Sequence, residues 1–120
     1  MFYCILCYNL ESEVEAWSRE KEAAMLAKRD QVTQRLAAEG RLGPVGRLMP
    51  TTTAVTVRAS RETLILDGPF AETKEQLLGL YFVECRSLQD ALTVARDLAG
   101  DTGALEVRPV STFYPGIGLQ

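Results

Sequence analysis

The hydrophobic positions change period repeatedly along this chain, and each change marks an element. Residues 2–8 are a continuous apolar run without alternation, the pattern of a strand covered on both faces. Ser12 and Glu15 then form a capping-box pattern. From there to about Ala38 the sequence predicts one long helix, with Val14, Trp17, Ala24, Met25, Val32 and Leu36 along an apolar stripe. Gly40 falls where such a helix should stop. Glu15, Arg19, Glu22, Lys28 and Arg29 are expected on the solvated side of that helix. Residues 42–50 contain Gly43-Pro44 and Gly46, turn signals that predict an irregular strand or a loop. Residues 51–58 and 62–67 predict a hairpin around Ala59-Ser60-Arg61, with β-branched residues in both arms. Residues 80–85 are another strand with little alternation. Ser87 then caps a helix to about Ala99, in which Leu88, Ala91, Leu92, Ala95 and Leu98 keep the helical spacing, and Gly100 ends it. Residues 105–110 close the pattern as a strand, followed by a tail over 113–119 rich in chain breakers.

Strand, helix, two or three strands, strand, helix, strand is the order of a ferredoxin-like α+β fold, and residues 1–120 suffice for a single domain. Two helices cover only one face of such a sheet, yet two of its strands are apolar on both. The second face needs a cover. A two-fold dimer joining the open faces into a dimeric α+β barrel is the simplest one, and a monomer whose own tail folds across the sheet is the rival.

Composition narrows the function classes. Apolar residues make up 47% and charged residues 24% of the chain, and no apolar run approaches the ~20 residues of a membrane span, so no membrane partner is expected. The apolar start has no basic leader before it and reads as a strand, which leaves a cytoplasmic location as the expectation. Lys and Arg number 13 against 16 Asp and Glu, a net charge of −3 with no basic cluster, which argues against nucleic acid as a direct partner. Three cysteines form no disulfide framework. Cys4 and Cys7 have the spacing of a redox pair, but three residues apart on a strand they point to opposite faces, so both are read as core. The chain has no histidine. That removes Ser-His-Asp and Cys-His catalysis, histidine-ligated haem and the common zinc sites, so no cofactor or metal is expected. Any acid or base must be a carboxylate, lysine, tyrosine or cysteine with an environment-shifted pKa.

Chemistry concentrates in the run Leu66-Asp67-Gly68-Pro69-Phe70-Ala71-Glu72-Thr73-Lys74-Glu75-Gln76. Gly68-Pro69 breaks the strand before it, and Asp67 is placed to accept amides two residues on. Glu72, Lys74 and Glu75 follow on a short connection between apolar strands. Were this piece helical, Glu72 and Glu75 would share a face; as a buried pair they would supply a general acid or a cation site, and in water neither. Arg108 lies on the strand face opposite Val107, where it could pair Asp67 or a ligand carboxylate. Tyr81 could hydrogen-bond into the same cleft or simply pack in the core. The candidate catalytic residues are therefore Asp67, Glu72 and Glu75, and the candidate ligand-binding residues Asp67, Glu72, Lys74, Glu75, Tyr81 and Arg108, for a small polar or anionic ligand.

That run, followed by Gly79-Leu80-Tyr81-Phe82 and by Glu106-Val107-Arg108-Pro109-Val110, resembles the DGPF-domain branch of the YCII-related family over nearly the whole chain. The resemblance implies a homodimeric α+β barrel and bacterial proteins often encoded with, or fused to, sigma factors of the extracytoplasmic-function type. It carries no settled reaction. A His-Asp pair is the basis for proposing that simpler YCII-like proteins are enzymes, and this chain has no histidine to supply it. Whether the protein is an enzyme is thus left open. Three functions remain: a small-ligand-binding or enzymatic cleft near Asp67-Gly68-Pro69-Phe70, an accessory module associated with sigma factors, and a non-catalytic dimeric scaffold.

Overall fold

In the computed structural model, which describes residues 1–116, ten elements follow one another. They are β1 (Phe2–Asn9), α1 (Glu11–Glu15), α2 (Arg19–Ala38), β2 (Leu42–Arg47), a 3-10 turn (Thr51–Thr53), β3 (Val55–Arg58), β4 (Leu64–Asp67), β5 (Gln76–Glu84), α3 (Leu88–Leu98) and β6 (Ala104–Pro109). The main sheet has the order β2-β5-β1-β6, antiparallel throughout, and β3 and β4 form a separate two-stranded ribbon. This is the α+β arrangement expected from the element order, with the ribbon inserted between the second and third sheet strands. Residues 117–119 of the predicted tail lie outside the described residues.

Alternation on the strands selects the core. Tyr3, Ile5 and Cys7 of β1 and Tyr81 and Val83 of β5 are buried on one face, where Val32 and Leu36 of α2 and Ala91, Val94, Ala95 and Leu98 of α3 pack against them. Each fully buried aliphatic side chain there contributes roughly 1.5–3 kcal/mol. The outer face, with Phe2, Cys4, Leu6, Leu80 and Phe82, is only half-buried. Phe113 of the tail stacks on Phe2 at 4.0 Å between ring centres and tilts against Phe82 at 5.6 Å, so the tail covers one end of that face.

Four predicted features change. The long helix breaks at Trp17-Ser18 because the Ser18 hydroxyl accepts the Lys21 amide at 3.1 Å and starts a new helix there. The Ser12–Glu15 capping box does not form, since Leu10 precedes α1 and no side chain caps it. Residues 51–53 turn instead of extending: Glu11 accepts the Thr51 amide at 2.9 Å and the Thr51 hydroxyl, and Thr53 Oγ1 donates to the Pro50 carbonyl at 2.6 Å. The strand predicted over 80–85 begins earlier, at Gln76, because β1 offers it pairing partners as far as Asn9.

One corner joins both helices to the sheet. Arg41, just beyond α2, donates through Nε to the Glu84 carbonyl at 3.0 Å and through Nη2 to both Asp90 carboxylate oxygens at 3.0 Å. The Arg86 amide also donates to Asp90, at 3.1 Å, and Ser87 caps α3 by accepting the Asp90 amide. That amide bond first, and then Arg41, hold the Asp90 carboxyl below its ordinary value against the opposing effect of burial. A group so depressed contributes stability that is fully present above its unfolded value of 3.8 and is lost as pH falls through the folded value. Asp90→Asn is accordingly expected to cost about 1–2 kcal/mol at pH 7, a fall of roughly 4–10 °C in Tm. In melts repeated across acid pH, the gap to the wild type should narrow below about pH 3.8; a gap constant with pH would show that the ion pair contributes nothing.

Candidate functional site

The motif run does not form a cleft in the protomer. Asp67 ends β4 opposite Val55, is exposed, and its carboxylate accepts no hydrogen bond among the described residues. The turn is held through Gly68 instead. Its amide donates to the Ala54 carbonyl at 2.7 Å, its carbonyl accepts from Thr56 Oγ1 at 2.8 Å, and its φ of 98° lies where only glycine sits without strain. Residues 70–75 are bends and not a helix, so Glu72 and Glu75 do not share a helical face; Glu72 and Lys74 are exposed and Glu75 half-exposed. Gln76 anchors the end of the run, accepting the Glu11 amide at 3.0 Å and donating to the Thr73 carbonyl at 2.8 Å. Arg108 lies on the outer face of the sheet beside Cys4 and pairs with no carboxylate among the described residues. The expected pairing of Arg108 with Asp67 is absent because the ribbon carries Asp67 away from that face. Among the described residues no group of three or more His, Cys, Asp or Glu side chains gathers as a metal site would require.

Tyr81 alone of the sequence candidates reaches a cavity, and that cavity is on the other face. A space of about 360 Å³ lies between residues 22–33 of α2 and the inner face of the sheet. Its floor is Cys7, Gly79 and Tyr81, with Leu42, Val45 and Arg47 of β2 and Leu105 of β6 beside them. Its roof is Glu22, Met25, Leu26, Arg29, Asp30 and Thr33 of α2, closed at one end by Val14 and Trp17. Leu78 enters the wall because of a bulge: Cys7 pairs with Gly79 but Tyr8 with Leu77, which leaves Leu78 as the extra residue. Gly79 keeps β2 and β5 close, for a Cβ there would stand 2.8 Å from the Gly46 carbonyl oxygen. A second space of about 330 Å³ adjoins the first across Val14, Arg47 and Leu78 and extends to Leu48, Met49 and Pro50.

The polar groups converge on the inner end of the larger cavity. Arg29 acts electrostatically on both the Tyr81 phenol and the Cys7 thiol, pulling each pKa down, while burial pushes both up by more. Tyr81 is thus a neutral hydroxyl donor at pH 7 and Cys7 a neutral thiol. Arg29 forms no ion pair among the described residues, and its Nε, like the Trp17 indole N–H, is buried without a hydrogen-bond partner. Arg29 is a correction to the sequence reading, which put it on the solvated side of the helix. It sits four residues after Met25 and three before Val32, on the stripe itself, and a cation on an apolar stripe was the signal available. Ala24, expected on that stripe, is exposed.

The geometry of the turn separates two roles within the motif. Gly68→Ala, at a site with open space around the new methyl, isolates the backbone cost, about 1 kcal/mol or roughly 3–6 °C in Tm. Asp67→Ala should leave the Tm within about 1 °C. Equal losses in thermal melts of the two variants would restore the aspartate as the anchor.

The comparisons with known proteins agree with the fold. Residues 1–114 match the family model described as the YCII-related domain. The chain is also similar to an uncharacterised protein of Rhizobium meliloti (strain 1021), 50% identical over 120 residues that cover 97% of each chain. With a family model spanning nearly its whole length and a half-identical relative over the same span, the chain belongs to the YCII-related family.

Proposed function

We propose that this protein is a homodimer of the DGPF branch that binds, and in its enzymatic form acts on, a small molecule held in the cavity beneath α2. One observation carries the ligand reading: a largely apolar-walled space of about 360 Å³ lined by Arg29, a cation with no ion pair among the described residues. Binding sites have this character, a mostly apolar cleft with a few placed polar groups. A stability-driven core would instead close on itself, since an unsatisfied buried donor costs roughly 1–3 kcal/mol. Tyr81 and Cys7 face that space as neutral hydrogen-bonding groups.

The dimer reading rests on the ribbon. Val55, Val57 and Ile65 lie on one of its faces and Leu64 and Leu66 on the other, and all five are exposed. An isolated two-stranded ribbon is marginal in water, so one apolar on both faces calls for a cover. A second copy supplies that cover, and the half-buried outer face of the sheet is a further surface it would meet. The motif then has a place in the assembly, as the connection that sets the angle of the arm. An accessory role beside a sigma factor draws on the same surface and becomes the better reading if the ribbon is free in the isolated protein.

Sedimentation equilibrium is expected to give a dimer, with Ile65→Lys shifting it to monomer and lowering the Tm. A monomeric wild type would overturn the dimer and leave the ribbon to a protein partner. For the ligand site, titration with the neutral probe indole, followed by amide NMR, should move Cys7, Gly46 and Gly79. Val45→Phe, which fills the wall, should abolish the shifts. Shifts centred on residues 67–76, or none, would place the site elsewhere.

A further inference from the structure

We infer that the ligand of this cavity is a small carboxylate with an apolar body, its anionic end held by the Arg29 guanidinium. The inference rests on the reading of the cavity as a ligand site and names what that site takes. Its starting point is an uncompensated charge. A guanidinium cannot shed its proton near neutrality, so where burial leaves it without a counter-ion the cost stays in the folded protein. Arg29 is in that position: half-buried, its Nε out of contact with water and unpartnered, with no carboxylate paired to it among the described residues. Glu22 and Asp30, the acidic residues of the same cavity, are both exposed, and neither forms an ion pair with it. Tyr81 and Cys7, the nearest titratable groups on the sheet side, are kept neutral and so do not balance it.

The planar fork of a guanidinium fits a planar acceptor with two oxygens, which a carboxylate is. Asn9, Thr33, Arg47 and Thr102 also line the space, and the apolar part of the wall sets the body of the ligand. Met25, Leu26, Leu42, Val45 and Leu78 offer apolar contact, and the size of the space lies near the lower end for small-molecule sites. A sugar or a nucleotide would leave its many polar groups unpaired against those side chains. A short aliphatic or single-ring acid would not.

Calorimetric titration of the intact chain with benzoate and benzamide, and with phenylacetate and its amide, tests the charge within a fixed shape. Each acid should bind at least about tenfold more tightly than its amide. Arg29→Met, which keeps the stem and removes the charge, should level that preference and leave the ligand-free Tm unchanged or raised. If Arg29→Met does not fold, Arg29→Lys serves, keeping the charge but losing the fork, and should reduce the preference. Amides that bind as well as acids, or an acid preference that survives Arg29→Met, would overturn the carboxylate and leave the cavity as a site for neutral molecules. No binding of either acid, while indole still moves the cavity amides, would do the same. Silence from acids, amides and indole alike would overturn the site itself.

Discussion

The Arg41 guanidinium is the tie on which the helix layer depends. It stands where α2 ends, accepted by the backbone of β5 and by the first turn of α3, so the two helices and the sheet meet at one corner. Near that corner α2 is pressed onto the sheet through Val32 and Leu36. Toward its other end the helix has only sideways ties: Lys28 Nζ donates to the Ala99 carbonyl and Lys21 pairs with Asp101 at 3.5 Å, both at the far end of α3. A helix pinned down at one end and only laterally at the other leaves a wedge beneath it. The cavity is that wedge, so the packing that stabilises the fold also determines where the open space lies.

The architecture was legible in the sequence because it is written in periodicity. Continuous apolar runs placed β1 and β5, while 42–47 read only as an irregular strand or a loop, and Ser87 with Gly100 bracketed α3 close to its true ends. Local competition was harder to read. Ser18 has the chemistry of a helix start, but within a long run of good helix formers its effect depends on whether its hydroxyl takes the next free amide, as it does with Lys21. The threonines at 51–53 carry strand propensity, yet a carboxylate 40 residues earlier fixes them in a turn. Propensity yields to such distant contacts.

The site was less legible than the fold. Charge density drew attention to 67–76, and charge density alone does not tell a solvated connection from a cleft. The residues that line the cavity come from six separate elements and two connections, and most are apolar. Tyr81 was found because it sits on a strand whose register is readable. Arg29 was missed because a lone arginine in a helix full of charges looks like one more surface residue, and only its phase relative to Met25 and Val32 sets it apart. Leu78 depends on a bulge, a register shift between two strands that neither strand announces by itself.

The groups around Arg29 have a further consequence. With no imidazole anywhere in the chain, and with burial holding the Tyr81 and Cys7 protons in place, the inner end of the cavity has no group that exchanges a proton across the physiological range. Its electric field is therefore a constant of the fold. Acidification or alkalinisation of the surroundings within that range leaves both groups neutral. The pocket is thereby insulated from the pH changes that histidine-bearing sites are built to sense.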